Sequence, residues 1–332
     1  MNLGKLRQAL TARELFNLIQ DELDQVEKKL TAESVAPLDT VTAIGQYLHS
    51  SGGKRLRPAL LLLSAKFAGA SFGPGSTAIQ LGAVVELIHA ATLVHDDVID
   101  AAETRRGRPS TNVKWGNHTC VLAGDWLYMQ AFQIALRERS FPILDQLIGL
   151  TQMMVEGELL QLERIGRIDV SEADCMELVH RKTACLFSVC ARLGALSAQG
   201  DPQVQEKLGE YAWNLGMAFQ LIDDMLDFTA RETTLGKPVG GDLREGKVTL
   251  PLIAAIEARP ELSRALDAAR EGDDDAAGEL FAAVTACHGA ETARARARKH
   301  TNTALAALAT LPPSRARDLL GALATELTSR AF

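Results

Sequence analysis

Aromatic residues are scarce in this chain: three Trp and three Tyr in 332 residues, with aromatics at 5% in all. No run alternates cleanly between apolar and polar residues, and no Asn-Gly or Asp-Gly pair marks a hairpin. That argues against a sandwich or barrel. The five cysteines (Cys120, Cys175, Cys185, Cys190, Cys287) lack metal-ligand spacing. They read as buried free thiols in a reducing compartment. The N-terminus has no signal-peptide stretch, and no apolar run approaches the ~20 residues of a membrane helix. The expectation is a soluble, cytoplasmic protein, with any membrane contact peripheral. Positive charge is not in excess either. The formal net charge is −7, which argues against a general nucleic-acid binder. Ser-His-Asp and Cys-His nucleophile patterns are also missing.

Apolar residues make up 47% of the chain and recur at i, i+3 and i+4. This period predicts an all-α protein. Helices are expected over about 77–101, 119–139, 142–163, 171–199 and 203–230, after charged amphipathic helices within 1–33. Gly107 and Pro109 mark one polar loop, and 231–247 is a second, Gly-rich one. Pro260, Gly272, Gly289 and Pro312-Pro313 are expected to break the C-terminal third.

The most informative motif occurs twice. Asp96-Asp97-Val98-Ile99-Asp100 and Asp223-Asp224-Met225-Leu226-Asp227 both read DDxxD, and both lie in apolar helical runs. Positions i and i+4 share a helix face, so Asp96 and Asp100 would point together, as would Asp223 and Asp227. One copy alone would read as a solvated acidic turn. Two copies amid Leu, Ile, Val, Met and Phe do not. Buried carboxylates need cationic neutralisation, and Mg²⁺ commonly bridges carboxylates to phosphate oxygens.

Basic residues accompany each cluster. Arg105-Arg106 follows the first, Lys237 and Lys247 follow the second, and Gly52-Gly53-Lys54-Arg55-Leu56-Arg57-Pro58 lies upstream. Each group alone could be surface charge. Beside paired carboxylates they suggest two diphosphates, one held through Mg²⁺ and one held directly by Lys and Arg forks.

In order and spacing these motifs resemble the trans-isoprenyl diphosphate synthases, most of all the bacterial polyprenyl (octaprenyl-type) enzymes, over about residues 45–325. "GGKRLRP", "ELIHAATLVHDDVIDAAETRRGRPS", "LAGDWLYMQAFQ", "VEGELLQLE" and "MAFQLIDDMLDF" with "GKPVGGDLREGKVTLPL" carry the resemblance. It implies a single large helical bundle of the isoprenoid synthase type, spanning 1–332, with a central apolar cavity and residues 1–33 packed on it. Asp96, Asp97, Asp100, Asp223, Asp224 and Asp227 would bind Mg²⁺, roughly three ions to a site. Arg105, Lys182, Thr183, Lys237 and Lys247 would contact the allylic diphosphate, with Gln220 nearby. Lys54, Arg57, His89 and Arg106 would bind isopentenyl diphosphate. Many relatives read "GDDL" where this chain has Gly240-Gly241-Asp242-Leu243, one carboxylate fewer. A homodimer is implied as well.

The implied chemistry needs no side-chain nucleophile. The allylic C–O bond ionises, isopentenyl diphosphate attacks the cation through its double bond, and a proton leaves. An apolar cavity keeps water from quenching the cation. Small residues before the first motif, Ala91 and Thr92, leave the product tunnel without an aromatic floor. Ala91 would lie about 7.5 Å and Ile88 about 12 Å from Asp96, with Phe132 as a distant floor. About eight isoprene units are expected, six to ten being allowed by that spacing, for a quinone side chain. The alternatives are a shorter, geranylgeranyl-type product, or a non-catalytic subunit of a heteromeric synthase.

Overall fold

The computed structural model describes residues 17, 19–50, 52, 55–73, 75–229 and 240–329. Lys54 and Lys237 lie outside the described residues. The first helices are α1 (Gln20–Glu33), α2 (Asp39–Ser50), α3 (Leu56–Phe67) and α4 (Thr77–Ile99). A two-stranded ribbon, β1 (Thr104–Arg105) and β2 (Arg108–Pro109), precedes α5 (Thr111–Trp115), α6 (Asn117–Arg137) and α7 (Phe141–Arg164). Then come α8 (Glu172–Val179), a π turn (His180–Ala184), α9 (Cys185–Ser197) and α10 (Pro202–Thr229). The last helices are α11 (Gly241–Arg244), α12 (Leu250–Ala258), α13 (Ser263–Arg270), α14 (Asp274–Ala286), α15 (Gly289–Ala309) and α16 (Arg315–Ser329).

The two long helices that carry the acidic motifs organise the bundle. On one side α4 packs on α1, α3 and α6; on the other, α10 packs on α9 and α15, and α9 joins the halves by packing on α3. Fourteen residues of α4 are buried, so burial on all sides rather than one amphipathic stripe holds it as a helix. By length and composition α4 is the one described helix apolar enough to cross a membrane. That corrects the expectation that no run approaches such a length. Its apolar faces pack on neighbouring helices instead.

Three local departures from the sequence reading matter for the site. Helix α4 ends in a Schellman motif: Ala101 adopts φ 48°, Ala102 N–H donates to the Asp97 carbonyl, and Ala101 N–H to that of Val98. The polar loop beyond it holds a hairpin, in which Arg105 pairs with Arg108 and Thr104 with Pro109. Its two-residue turn, Arg106-Gly107, has φ of 53° and 72°, the positive pair of a type I′ connection. Finally, the helix expected over 171–199 is interrupted by the π turn. The break expected at Gly289 falls at Cys287-His288, and Gly289 begins α15.

Candidate active site

A cavity of about 590 Å³ lies between α4, α6, α7, the α8–π turn segment and α10. Of the residues singled out in the sequence, Arg57, His89, Thr92, Asp96, Lys182, Thr183, Gln220, Asp224 and Lys247 line it. Asp242, the single carboxylate left in the Gly-Gly-Asp-Leu run, lines it too.

On the first motif, Asp96 faces the cavity and its carboxyl is pushed up to about 6, first by burial and further by Glu158 and Asp100, against the pull of Lys182. Asp100 caps α4 and pairs with Lys247 at 3.3 Å, while Lys247 also meets Glu245 at 2.5 Å. Burial works against the Lys247 charge, but Asp100 and Glu245 outweigh it and hold the ammonium above its usual range. Asp97 turns the other way and is fully buried. Its Oδ1 accepts from Arg105 Nε at 2.5 Å, and its Oδ2 accepts from the Thr111 backbone and hydroxyl at 2.9 and 2.8 Å. Neither Asp97, expected as a metal ligand, nor Arg105, expected as a diphosphate contact, lines the cavity. The two are paired with each other, because one residue along a helix rotates a side chain by about 100°.

Along the second motif, Asp224 is buried and faces the cavity. Burial first, then Asp242, Asp223 and Asp227, raise its proton affinity well above the ordinary value, while the hydrogen bond from Gln220 opposes. Gln220 Nε2 donates to Asp224 at 2.9 Å, and Thr183 Oγ1 donates to Gln220 Oε1 at 2.8 Å. Asp223 is exposed on α10 and does not line the cavity. Asp227 is buried and accepts from the Asp242 backbone N–H at 3.1 Å, which fixes the start of α11.

On the basic side, Lys182 Nζ pairs with Glu158 at 2.6 Å and donates to Gln161 at 2.9 Å. Arg57 Nε is buried with no hydrogen-bond partner. His89 is kept neutral first by burial and then by Arg57, Arg106, Arg105 and Arg55. Of these, Arg57 lines the cavity with His89, and its positive charge favours an anion there. Arg106 leaves the cavity wall and donates to the Gly52 carbonyl, tying the hairpin to the upstream Gly-rich segment. Arg55 is held by Glu27 and by Glu86 at 3.1 Å.

Tunnel residues divide as well. Thr92 lines the cavity, with its hydroxyl donating to the His89 carbonyl at 2.8 Å. Ile88 and Ala91 are fully buried among the helices, and Phe132 packs against that core without reaching the cavity. The apolar lining of the cavity includes Val121 and Tyr128 of α6 and Val155, Leu159 and Leu162 of α7. Glu158 and Gln161 were missed in the sequence. Their spacing of three residues within the quoted "VEGELLQLE" was the available signal.

Among the described residues, no three His, Cys, Asp or Glu side chains stand close enough to hold a metal ion by themselves. The donor chemistry still fits one. Asp96, Asp100 and Asp224 offer hard oxygens, and the raised proton affinities of Asp96 and Asp224 mark carboxylates that a divalent cation would stabilise.

An all-helical cage with acidic helix faces opposed to Lys and Arg around an apolar cavity defines a class of diphosphate-handling enzymes. The chain belongs to the polyprenyl synthetase family, whose model matches residues 39–286. It is 36% identical to the octaprenyl diphosphate synthase of Escherichia coli over 98% of both chains. A crystal structure of a polyprenyl synthase from Caulobacter crescentus, complexed with calcium and isoprenyl diphosphate, superposes with a TM-score of 0.91 at 34% identity, over 98% of this chain and all of that one. A decaprenyl diphosphate synthase from Rhodobacter capsulatus gives 0.90 at 32% identity, over 97% of this chain and all of that one. The family, the all-α fold and the enzyme class read from the sequence are borne out.

Proposed function

We propose that the enzyme condenses isopentenyl diphosphate with a farnesyl or geranylgeranyl diphosphate primer, giving an all-trans polyprenyl diphosphate of about eight isoprene units, as the similarity to an octaprenyl synthase suggests. The observation that carries this reading is the convergence of Asp96 and Asp224 with Arg57, Lys182 and Lys247 on one cavity with apolar walls. Lys182, Thr183 and Lys247 would hold the allylic diphosphate; Lys237 would join them by resemblance. Arg57 and neutral His89, with Lys54 by resemblance, would hold isopentenyl diphosphate.

Mg²⁺, when bound by Asp96, Asp100 and Asp224 and by substrate oxygens, would supply the charge that steadies the departing diphosphate. Lys182 and Lys247 add fixed positive charge there. The allylic C–O bond breaks, a C–C bond forms from the isopentenyl double bond, and the proton lost from the adduct passes to the departing diphosphate. Apolar walls from α4, α6 and α7 exclude water from the cation.

A homodimer is part of the proposal. Leu122, Met129 and Leu136 recur every seven residues on α6, and Phe141, Ile148, Val155 and Leu162 do so on α7. All seven are large apolar side chains exposed by 45–81%, and two of them, Val155 and Leu162, also border the cavity. Such stripes suit helix packing against a second copy. The active form would then be peripheral to membranes, touching them only as product leaves.

The test is incubation with Mg²⁺, farnesyl diphosphate and excess labelled isopentenyl diphosphate, followed by resolution of product lengths. Products of about six to ten units are expected from the open tunnel. A stop at geranylgeranyl length would favour the shorter-chain reading. No incorporation from any allylic primer would favour a non-catalytic subunit.

A further inference from the structure

The π turn His180–Ala184 carries both Lys182 and Thr183, yet the side chains that fix it lie outside the cavity lining. Cys185 N–H donates to the carbonyl of His180, five residues back. One extra residue per turn rotates the succeeding residues by about 100° relative to a regular helix. The turn is pinched from two sides. A Cβ on Gly157 of α7 would lie 2.9 Å from Arg181 Cβ and 3.3 Å from Lys182 N, and a Cβ on Gly216 of α10 would lie 2.7 Å from Ala184 Cα. Backbones therefore approach closely on both faces, and Lys182 reaches α7 while Thr183 reaches α10.

The turn has a third anchor. Trp213 Nε1 donates to His180 Nδ1 at 2.7 Å. An indole N–H only donates, so His180 Nδ1 is the acceptor and its ring proton sits on Nε2. Trp213 lies edge-on between His180 and His300, with centroids at 5.8 and 5.7 Å. His300 Nδ1 is 2.9 Å from Asn214 Oδ1, and Asn214 Nδ2 donates to the Glu210 carbonyl at 3.0 Å. The indole is thus held from α10 and α15 and offers its single donor to the first residue of the turn.

We propose that Trp213 and His180 are positioning residues of the transfer site: their hydrogen bond holds the π turn in the register that sends Lys182 to the α7 side of the cavity and Thr183 to the Gln220–Asp224 side. The inference rests on the reading of Lys182 and Thr183 as allylic diphosphate contacts. Trp213 would otherwise count only as core.

Initial rates of the full-length enzyme with Mg²⁺ test this, varying farnesyl diphosphate at saturating isopentenyl diphosphate and then the converse. Trp213→Phe keeps an aromatic ring, smaller than the indole, and removes the donor. His180→Leu removes the acceptor, and His180→Asn supplies another. The expected result for Trp213→Phe and His180→Leu is a kcat/KM for farnesyl diphosphate lower by about five- to tenfold, with the KM for isopentenyl diphosphate unchanged. The double variant should lose no more than either single one, and His180→Asn should recover most of the loss. Equal effects on both substrates, losses that multiply in the double variant, or no loss with Trp213→Phe would overturn the proposal. Lys182→Ala separates the two levels. If it lowers kcat/KM for farnesyl diphosphate while Trp213→Phe does not, the positioning role alone fails; if Lys182→Ala has no such effect, the underlying reading fails and the proposal with it. Thermal melts accompany each variant, and a loss of activity that tracks a lost fold in Trp213→Phe, without recovery in His180→Asn, counts against the proposal.

Discussion

Asp96 and Asp97 are neighbours with opposite energetics. Asp97 is neutralised by Arg105 and by two hydrogen bonds from Thr111, and removing its charge strands a guanidinium. Asp97→Asn is expected to lower stability by about 3 kcal/mol, read from urea denaturation. Asp96 behaves the other way in the metal-free protein. Its folded-state value, about 6, lies above the ordinary 3.8. Below the lower value both states hold the proton and burial of the acid costs little. As pH rises through the upper value the folded state must bury a charge, and that part of the stability is lost. Metal-free Asp96→Asn should therefore melt above the parent at pH 8, with the difference shrinking toward pH 4. A constant difference across that range would count against the buried-carboxylate assignment. The same variant should lose most of its activity. The apolar frame of these residues was legible in the sequence. Which aspartate turned inward was not, since Thr111, the residue that captures Asp97, declares nothing until the chain reverses beyond α4.

At the level of elements, the long helices followed from a 3.6-residue period, and the observed bounds differ from the expected ones by a residue or two. Two features did not follow. The hairpin lacks an Asn-Gly pair, and its left-handed Arg106 is held by a carbonyl far away in sequence, that of Gly52. The π turn arises from notches on α7 and α10, a tertiary cause that local propensity does not encode. The Schellman end of α4 places an alanine, Ala101, where glycine is the usual occupant. Ala101→Gly relieves that strain against a larger unfolded-state entropy. A net gain of about 0.5–1 kcal/mol is expected, seen as a higher urea midpoint at unchanged slope.

For the whole molecule, the heptad-spaced stripes on α6 and α7 give the dimer proposal its test. Leu122→Glu and Met129→Glu place charge on side chains exposed by 69% and 64%, so folding should be spared. Sedimentation is expected to show dimer in the parent and monomer in the double variant; a dimer that survives both changes would place the interface elsewhere. Charge composition and the doubled acidic motif were legible at this scale. The stripes were present in the sequence as well, but their exposure depends on which helix faces the bundle uses. Which apolar residues line the cavity was not legible either: Ile88, Ala91 and Phe132 do not, while Tyr128 and the facing residues of α7 do, because helix rotation decides it.

The two arginines at the Arg106-Gly107 turn grip opposite things: Arg105 a carboxylate of the first acidic helix, Arg106 the Gly-rich segment that leads to Arg57. A rigid two-residue connection makes these grips parts of one lever. A tilt of the acidic helix end would be carried by the ribbon to the Gly52 carbonyl, and the reverse would hold equally. On the proposed function, occupancy of the two substrate positions would be linked through this ribbon, and by reciprocity each substrate would change the affinity of the other by the same factor.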